Sequence, residues 1–390
     1  MADPVRFVHA DSLSAFEFSP SHPFKPLRSE LTRSLLEHAG ALSPEDIVAP
    51  GHLSESELAW VHDSDYIELV KAVSAGQSRR TAFAAGLGTN DNPIFPGMHA
   101  AVLGICAATV SAVDLVASGK AKRAFNPSGG LHHAHADRAS GFCIYNDLAV
   151  GIEHAVRVYG MRVAYIDLDA HHGDGVQNLF YERPEVMTIS VHESGRYLFP
   201  GTGQTYEVGR GAGNGLSVNA PLEPFTEDES FLEVIDGVLP DALAWFRPDL
   251  IVLQAGADAH RHDPLADLSL SLQGLTRAFR HVVELSNRHC GGRMVATGGG
   301  GYDAWRTVPR AWAHLWCLMS GRELPELLPE SWRAKWAEEG IPDLPESSLD
   351  LPSDFDPQPR RSLVTGQNQA MLRRLAGAHA PIRAKAGKRV

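Results

Sequence analysis

Short runs of β-branched and apolar residues alternate with longer amphipathic stretches along most of the chain. The short runs predict strands at VRFVHA from Val5, RAFNPS from Arg123, RVAYIDLD from Arg162, VMTISVH from Val186, GLSVNAPL from Gly215, LIVLQAGAD from Leu250 and RMVATGGG from Arg293. Between them, helical periodicity predicts a helix over His99 to Ser118 stopped by Gly119. A second runs over Asp147 to Tyr159, with Asn146 as N-cap and Gly160 as stop, and a third over Leu275 to Cys290, ended by two glycines. Such alternation predicts an α/β fold, a mostly parallel sheet covered by helices on both faces. The chain contains no internal repeat.

Composition narrows the function classes. At 390 residues the chain is long for one domain, although single α/β domains reach this size. With 35 Lys plus Arg against 47 Asp plus Glu it repels phosphate backbones, so nucleic acid is not expected as a partner. Cys106, Cys143, Cys290 and Cys317 form no C-x-x-C pair, as expected for a reducing cytoplasm. The N-terminus lacks the basic and apolar blocks of a signal peptide. The longest apolar stretch, Ala101 to Val113, stops at Asp114, short of the ~20 residues of a membrane span. A cytoplasmic location without a membrane is therefore expected.

From Ile341 the character changes. The stretch IPDLPESSLDLPSDFDPQP reads as a linker or a segment laid on the surface, which divides the chain into a main domain over 1–340 and a tail over 341–390. No acidic residue follows Asp356, while Arg360, Arg361, Arg373, Arg374, Arg383, Lys385, Lys388 and Arg389 accumulate. Composition predicts a solvated, partly disordered tail, with an electrostatic handle for an acidic partner as the alternative.

Four of the predicted strands end in unusual residues: NPSGGLHHAH, DLDAHHGDG, QAGADAHRHDP and TGGGGYD. In open α/β sheets, ligand sites collect at the carboxyl ends of strands, so four loaded ends predict one shared site. In DLDAHHGDG, Asp169 and His171 are separated by one residue, and in extended chain their side chains leave the same side. An oxygen and a nitrogen ligand so placed suit a zinc-type ion; the alternative is an Asp-capped helix start with packing histidines. Asp258, beyond LIVLQ, can complete a set of two Asp and one His, although an isolated Asp after a strand is usually a turn or cap residue.

His132 and His133 supply groups that carry protons at neutral pH. Adjacent side chains diverge in extended chain, so both reach one site only if the loop turns, which Gly129 and Gly130 permit. Two surface histidines are the bland alternative. Asp263 before Pro264 reads as a turn former, and His260 and His262 suit either a pocket lining or solvent. The run Gly298 to Gly301 lets backbone approach a ligand, with Tyr302 placed to donate to an oxyanion. No Lys-Ser/Thr follows it, which disfavours a phosphate loop.

Together, GGLHHAHADRASGFCIYND at 129–147, DLDAHHGDG at 167–175, HESGRYLFPGTG at 192–203, GADAHRHDP at 256–264 and GGGGYD at 298–303 resemble the zinc-dependent histone deacetylase superfamily. NPIFPGMH at 92–99 and the 192–203 segment are similar to its bacterial acetoin utilization, AcuC-like branch. The resemblance runs from about residue 5 to about 320 in the same motif order and leaves out the basic tail.

It implies an arginase/deacetylase fold with a sheet of about eight strands, and a hydrolase that removes acetyl groups from lysine side chains of proteins. Asp169, His171 and Asp258 match the metal ligands, for zinc or ferrous iron. His132 and His133 match the proton carriers, with Asp167 and Asp174 as their carboxylate partners; His133 acts as general base and acid. Tyr302 matches the residue that polarises the carbonyl. Phe142, Phe199 and Leu265 match the walls of an acyl-lysine tunnel, Gly141 and Gly300 its backbone, and Asp91 its rim. Asp167, Asp169, His171, Ser190 and Val191 resemble a structural potassium site.

No acyl-enzyme is implied, so Cys143 need not be a nucleophile. The branch resemblance favours an acetylated protein as substrate, an acyl-CoA synthetase among the candidates, with small acetylated amines such as acetylpolyamines as the alternative. Two other classes compete. A binuclear manganese amidinohydrolase wants a further carboxylate two positions after Asp258, where His260 stands; a silent acyl-lysine binding module would not need every motif position filled. Oligomeric state is not legible.

Overall fold

The computed structural model describes residues 4–351 and 355–386. Eight strands form one wholly parallel sheet: β1 (Val5–Val8), β2 (Ile47–Val48), β3 (Arg123–Asn126), β4 (Val163–Asp167), β5 (Val186–Glu193), β6 (Ser217–Leu222), β7 (Leu250–Gln254) and β8 (Met294–Thr297). Their spatial order is β2-β1-β3-β8-β7-β4-β5-β6. Seven strands coincide with apolar runs in the sequence. β2 is only two residues long, too short for any periodicity to reveal.

Eleven α-helices are assigned among the described residues: α1 (Leu27–His38), α2 (Glu55–Leu58), α3 (Ser64–Ser74), α4 (Met98–Ala117), α5 (Asp147–Tyr159), α6 (Asp174–Leu179), α7 (Asp228–Phe246), α8 (Leu272–Cys290), α9 (Thr307–Ser320), α10 (Glu330–Glu338) and α11 (Arg361–Ala386). The central strands are buried on both sides, and their alternation divides the core in two. Ala164, Ile166, Ile251 and Leu253 face α7, α8 and α9, whereas Val163, Tyr165, Leu250 and Val252 face α4 and α5. Asn146 caps α5 as expected, accepting from Ala149 N at 2.9 Å. α8 starts three residues earlier than its periodicity suggests, because Ser271 caps it through Gly274 N at 3.1 Å.

The apolar stretch that stops at Asp114 in the sequence continues as one helix of 20 residues, long and apolar enough to cross a bilayer by those criteria alone. α4 instead packs inside the fold against α5 and β3. The C-terminal stretch also departs from the composition-based reading. α11 lies along β6 and α7, burying Val364, Met371 and Leu375. Overall composition conceals such a stripe, since a few apolar positions at helical spacing anchor an otherwise polar helix. Asp350 pins the preceding segment, accepting from Leu272 N at 2.7 Å and facing His260 at 2.9 Å. Lys388 and Arg389 of the basic tail lie outside the described residues.

Candidate active site

The register places the loaded strand ends side by side. Asp167 pairs with Gln254 and with Ser190, Gln254 pairs with Thr297, and Thr297 pairs with Asn126. The loops leaving these five strands therefore start from one edge of the sheet.

Strands β4, β7 and β8 end earlier than their apolar runs suggest, at Asp167, Gln254 and Thr297. Asp169 and His171 thus lie beyond the strand rather than on one side of extended chain. Carboxylates replace the ladder here: Asp169 N donates to Asp167 Oδ1 (3.1 Å), His171 N to Asp169 Oδ1 (2.9 Å) and Ala170 N to Asp258 Oδ1 (2.8 Å). This web satisfies buried amides while turning the side chains inward.

Asp169, His171 and Asp258 converge so that one ligand atom from each lies within 4.8 Å of the others, all three residues buried. His171 Nδ1 stands 3.1 Å from Asp169 Oδ1 and 2.9 Å from Asp258 Oδ2. Burial opposes charge on the imidazole, but hydrogen bonds to the two carboxylates hold its pKa well above the usual range. Two buried carboxylates facing one imidazole call for a cation among them. Two oxygen donors and one nitrogen fit a zinc-type ion that keeps a position open.

Other groups hold these side chains in place. Gln254 Nε2 donates to Asp169 Oδ2 at 2.6 Å, and Gly300 N donates to the same oxygen at 2.6 Å. A methyl group at position 300 would come within 2.0 Å of Asp258 Oδ2, which explains why glycine stands there.

The loop after β3 turns so that both histidines reach this edge. His132 Nδ1 lies 2.8 Å from Asp167 Oδ2, which also accepts from Tyr165 Oη at 2.5 Å. His133 Nδ1 lies 2.7 Å from Asp174 Oδ1, and His135 Nε2 approaches the other oxygen at 3.2 Å. The two rings are electrostatically unlike. Burial disfavours charge on both, but Asp167 and Asp169 outweigh it at His132, raised to about 9. At His133, burial and the neighbouring His132 charge prevail and push the pKa down to about 3. His133 is thus a neutral acceptor at pH 7, oriented by Asp174.

A cavity of about 240 Å³ opens over the cluster, lined by Asp91, His133, Gly141, Phe142, His171, Leu198, Phe199, Leu265 and Tyr302. The Phe199 ring meets His133 edge-on at 5.0 Å, and Phe142 meets Tyr302 at 5.8 Å. Gly141 has φ +50°, and a Cβ there would lie 2.4 Å from His133 Cδ2, so the backbone itself forms that part of the wall. Asp91 is exposed at the mouth. Burial and the Asp258 and Asp169 charges raise the Tyr302 pKa well above its ordinary value, so it remains a hydrogen-bond donor. The Cys143 thiol, likewise raised by burial, donates to Gly141 O at 3.2 Å and does not line the cavity.

Ser190 and Val191 are buried in β5 and do not line the cavity. Ser190 is the register partner of Asp167, and its hydroxyl pairs with His192 Nδ1 at 2.8 Å. His172 is turned aside, to Thr202 Oγ1 at 2.8 Å and Gln177 Oε1 at 3.2 Å. His260 is buried against Asp350, and His262 is exposed. Asp263 makes the expected turn bond from Leu265 N (2.9 Å) and also accepts from Tyr302 N (2.7 Å).

Gln254, Asp263 in its second role, and Arg28 are support residues that the sequence reading did not assign. A lone amide ending the apolar run LIVLQ was a usable signal for Gln254. Arg28 had none: it is buried on α1 and donates to Gly301 O at 2.6 Å across a separation of 273 residues.

A histone deacetylase domain matches residues 22–319, and the chain belongs to that family, whose members are hydrolases of the deacetylase type. The fold agrees. The structure superposes on a crystal structure of an HDAC homologue complexed with SAHA at TM-score 0.82, with 30% identity, 95% of this chain and 99% of that one covered. An HDAC homologue from Aquifex aeolicus gives 0.81 at 29% identity, with 94% and 99% covered. The architecture is therefore the arginase/deacetylase fold.

Within the family the chain lies in the AcuC-like branch. It is 47% identical to the acetoin utilization protein AcuC of Bacillus subtilis (strain 168) over 369 residues, 94% of this chain and 95% of that protein. It is 39% identical to AcuC of Staphylococcus aureus (strain MRSA252), with 95% and 96% covered.

Proposed function

We propose that the protein is a zinc-dependent deacetylase acting on acetylated lysine side chains of other proteins. The observation that carries this reading is the buried Asp169, His171 and Asp258 cluster, whose His171 lines a cavity walled by Phe142, Phe199 and Tyr302. Asp169, His171 and Asp258 would hold zinc or ferrous iron, which when bound would supply Lewis-acid polarisation and lower the pKa of water toward neutrality.

The remaining chemistry belongs to the side chains. Phe142, Phe199 and Leu265 exclude water from an aliphatic chain, so the neutral acetylated lysine enters where the charged amine would pay desolvation. Tyr302 donates its hydroxyl to the substrate carbonyl oxygen as negative charge builds there. His133, neutral and held in one tautomer by Asp174, takes the proton from the attacking water and returns it to the leaving amine. His132, kept charged by Asp167, adds positive potential beside the developing oxyanion. Asp91 at the mouth grips substrate backbone. A structural potassium ion at Asp167, Asp169, His171, Ser190 and Val191 extends the reading, favoured by the adjacency of Asp167 and Ser190 across β4 and β5. The working compartment is the cytoplasm, and an acetylated acyl-CoA synthetase is a candidate substrate.

The test is acetate release from an acetyl-lysine peptide and from an acetylpolyamine, before and after chelation and after repletion with zinc or ferrous ion. Chelator-sensitive turnover of the peptide is expected. Turnover of the polyamine alone would overturn the protein-substrate assignment, and chelator-insensitive turnover would overturn the metal.

A further inference from the structure

A second, larger cavity of about 500 Å³ lies on the protein, lined by residues that include Tyr197, Glu223, Phe225, Gln358, Arg360 and Leu363. Three large apolar side chains stand open around it: Tyr197 is 58% exposed, Phe225 48% and Leu363 57%. Arg360 is exposed and makes no ion pair among the described residues, whereas Arg196 nearby is engaged by Glu223.

Two of its walls adjoin segments that line the acyl tunnel. Tyr197 precedes Leu198 and Phe199 of the tunnel on one loop, so its Cα lies within roughly 7 Å of that of Phe199, two residues on. Phe225 donates its backbone N–H to Asp267 O at 2.7 Å, two residues beyond the tunnel residue Leu265. Phe225 is also held at φ +64°, a conformation a bulky residue rarely adopts, with its ring turned to solvent. α11 supplies the third wall, docked by Asn368 Oδ1, which accepts from Glu223 N at 3.0 Å, and by Arg361, which donates to Glu227 Oε1 at 2.8 Å.

We infer that this groove is a recognition subsite for the protein substrate, receiving an apolar side chain roughly two or three residues from the acylated lysine, with an acidic neighbour on Arg360. The assignment rests on the deacetylase reading and gives it a substrate class. Adjacency to the segments that line the tunnel points to substrate chain as the occupant, and the Arg360 guanidinium, without an ion pair among the described residues, sets its charge preference. A small acetylated amine seated in the tunnel has no apolar side chain or acidic neighbour to place in it.

The experiment compares kcat/KM of the zinc-loaded full chain on capped acetyl-lysine and on acetyl-lysine peptides. The peptides carry Leu with a flanking Asp, or Gly in both places, at positions two and three on either side of the lysine. Wild type is expected to favour one Leu/Asp register over the Gly peptides by roughly tenfold. Leu363→Ala and Arg360→Glu each reduce that preference severalfold while leaving turnover of capped acetyl-lysine unchanged. Absence of any register preference, or equal losses on peptide and capped amino acid, would overturn the inference. A wild-type dimer that Leu363→Ala dissociates would assign the groove to a second copy instead. Inactivity on every acetyl-lysine substrate would refute the deacetylase reading, and the subsite with it.

Discussion

Gly300→Ala tests whether the site depends on backbone packed against its ligand carboxylates. The added methyl would sit 2.0 Å from Asp258 Oδ2 and 2.9 Å from Asp169 Oδ2. Reaching the ~3.3 Å of a close C–H···O contact requires Asp258 to retreat by roughly 1.3 Å. Metal–ligand distances tolerate only about 0.2 Å. Retreat of the Gly300 backbone instead would break its 2.6 Å hydrogen bond to Asp169 Oδ2. Either movement spoils a ligand. Loss of a supporting group alone weakens metal binding by about 10- to 100-fold, so at least the upper end is expected here, with a further loss in turnover of about 10² from misplacement.

The assay pairs metal content after dialysis against a zinc buffer with kcat/KM on an acetyl-lysine peptide. Gly366→Ala is the matched control: position 366 is exposed on α11 with nothing within 4 Å of the added methyl, and alanine there should stabilise the helix by up to about 1 kcal/mol. A Gly300→Ala protein with wild-type metal content and turnover would refute the steric argument and the ligand assignment of Asp258.

Two further outcomes are expected. Tyr302→Phe should lower kcat by roughly 10² to 10³ with metal content unchanged, the loss of one oxyanion donor; near-normal turnover would remove Tyr302 from the chemistry. Glu193, buried at the end of β5 with Asp267 N donating to its Oε2 at 2.8 Å, has its pKa raised by burial from 4.5 to about 7. The folded state then binds the extra proton between these values, so Glu193 lowers stability as pH rises from 4.5 to about 7. Glu193→Gln should remove that component, gaining on wild type by up to about 3 kcal/mol across the window in denaturant titrations; a difference that does not vary with pH would refute it.

The alternation of apolar runs and amphipathic stretches was enough to identify a parallel sheet and locate seven of its strands, because strands buried on both faces must be continuously apolar. The residues now brought to one edge were legible for a related reason: Asp, His and Gly have little cause to crowd the ends of such strands unless they hold a ligand. Their mutual geometry was not legible. Local periodicity places Asp169 and His171 on one side of an extended chain, whereas the real backbone leaves the strand at Asp167 and is turned by carboxylates, one of them Asp258, 88 residues from the amide it accepts. Arg28 under Gly301 and Asp263 under Tyr302 are likewise long-range bonds that no spacing encodes.

The C-terminal helix marks the same boundary. Its polar composition indicated exposure, which holds for about half of its positions from Arg361 to Ala380. Val364, Met371 and Leu375 gain burial only because β6 and α7 offer a surface to cover, so whether a sparse apolar stripe becomes a packed face is decided by its tertiary partner.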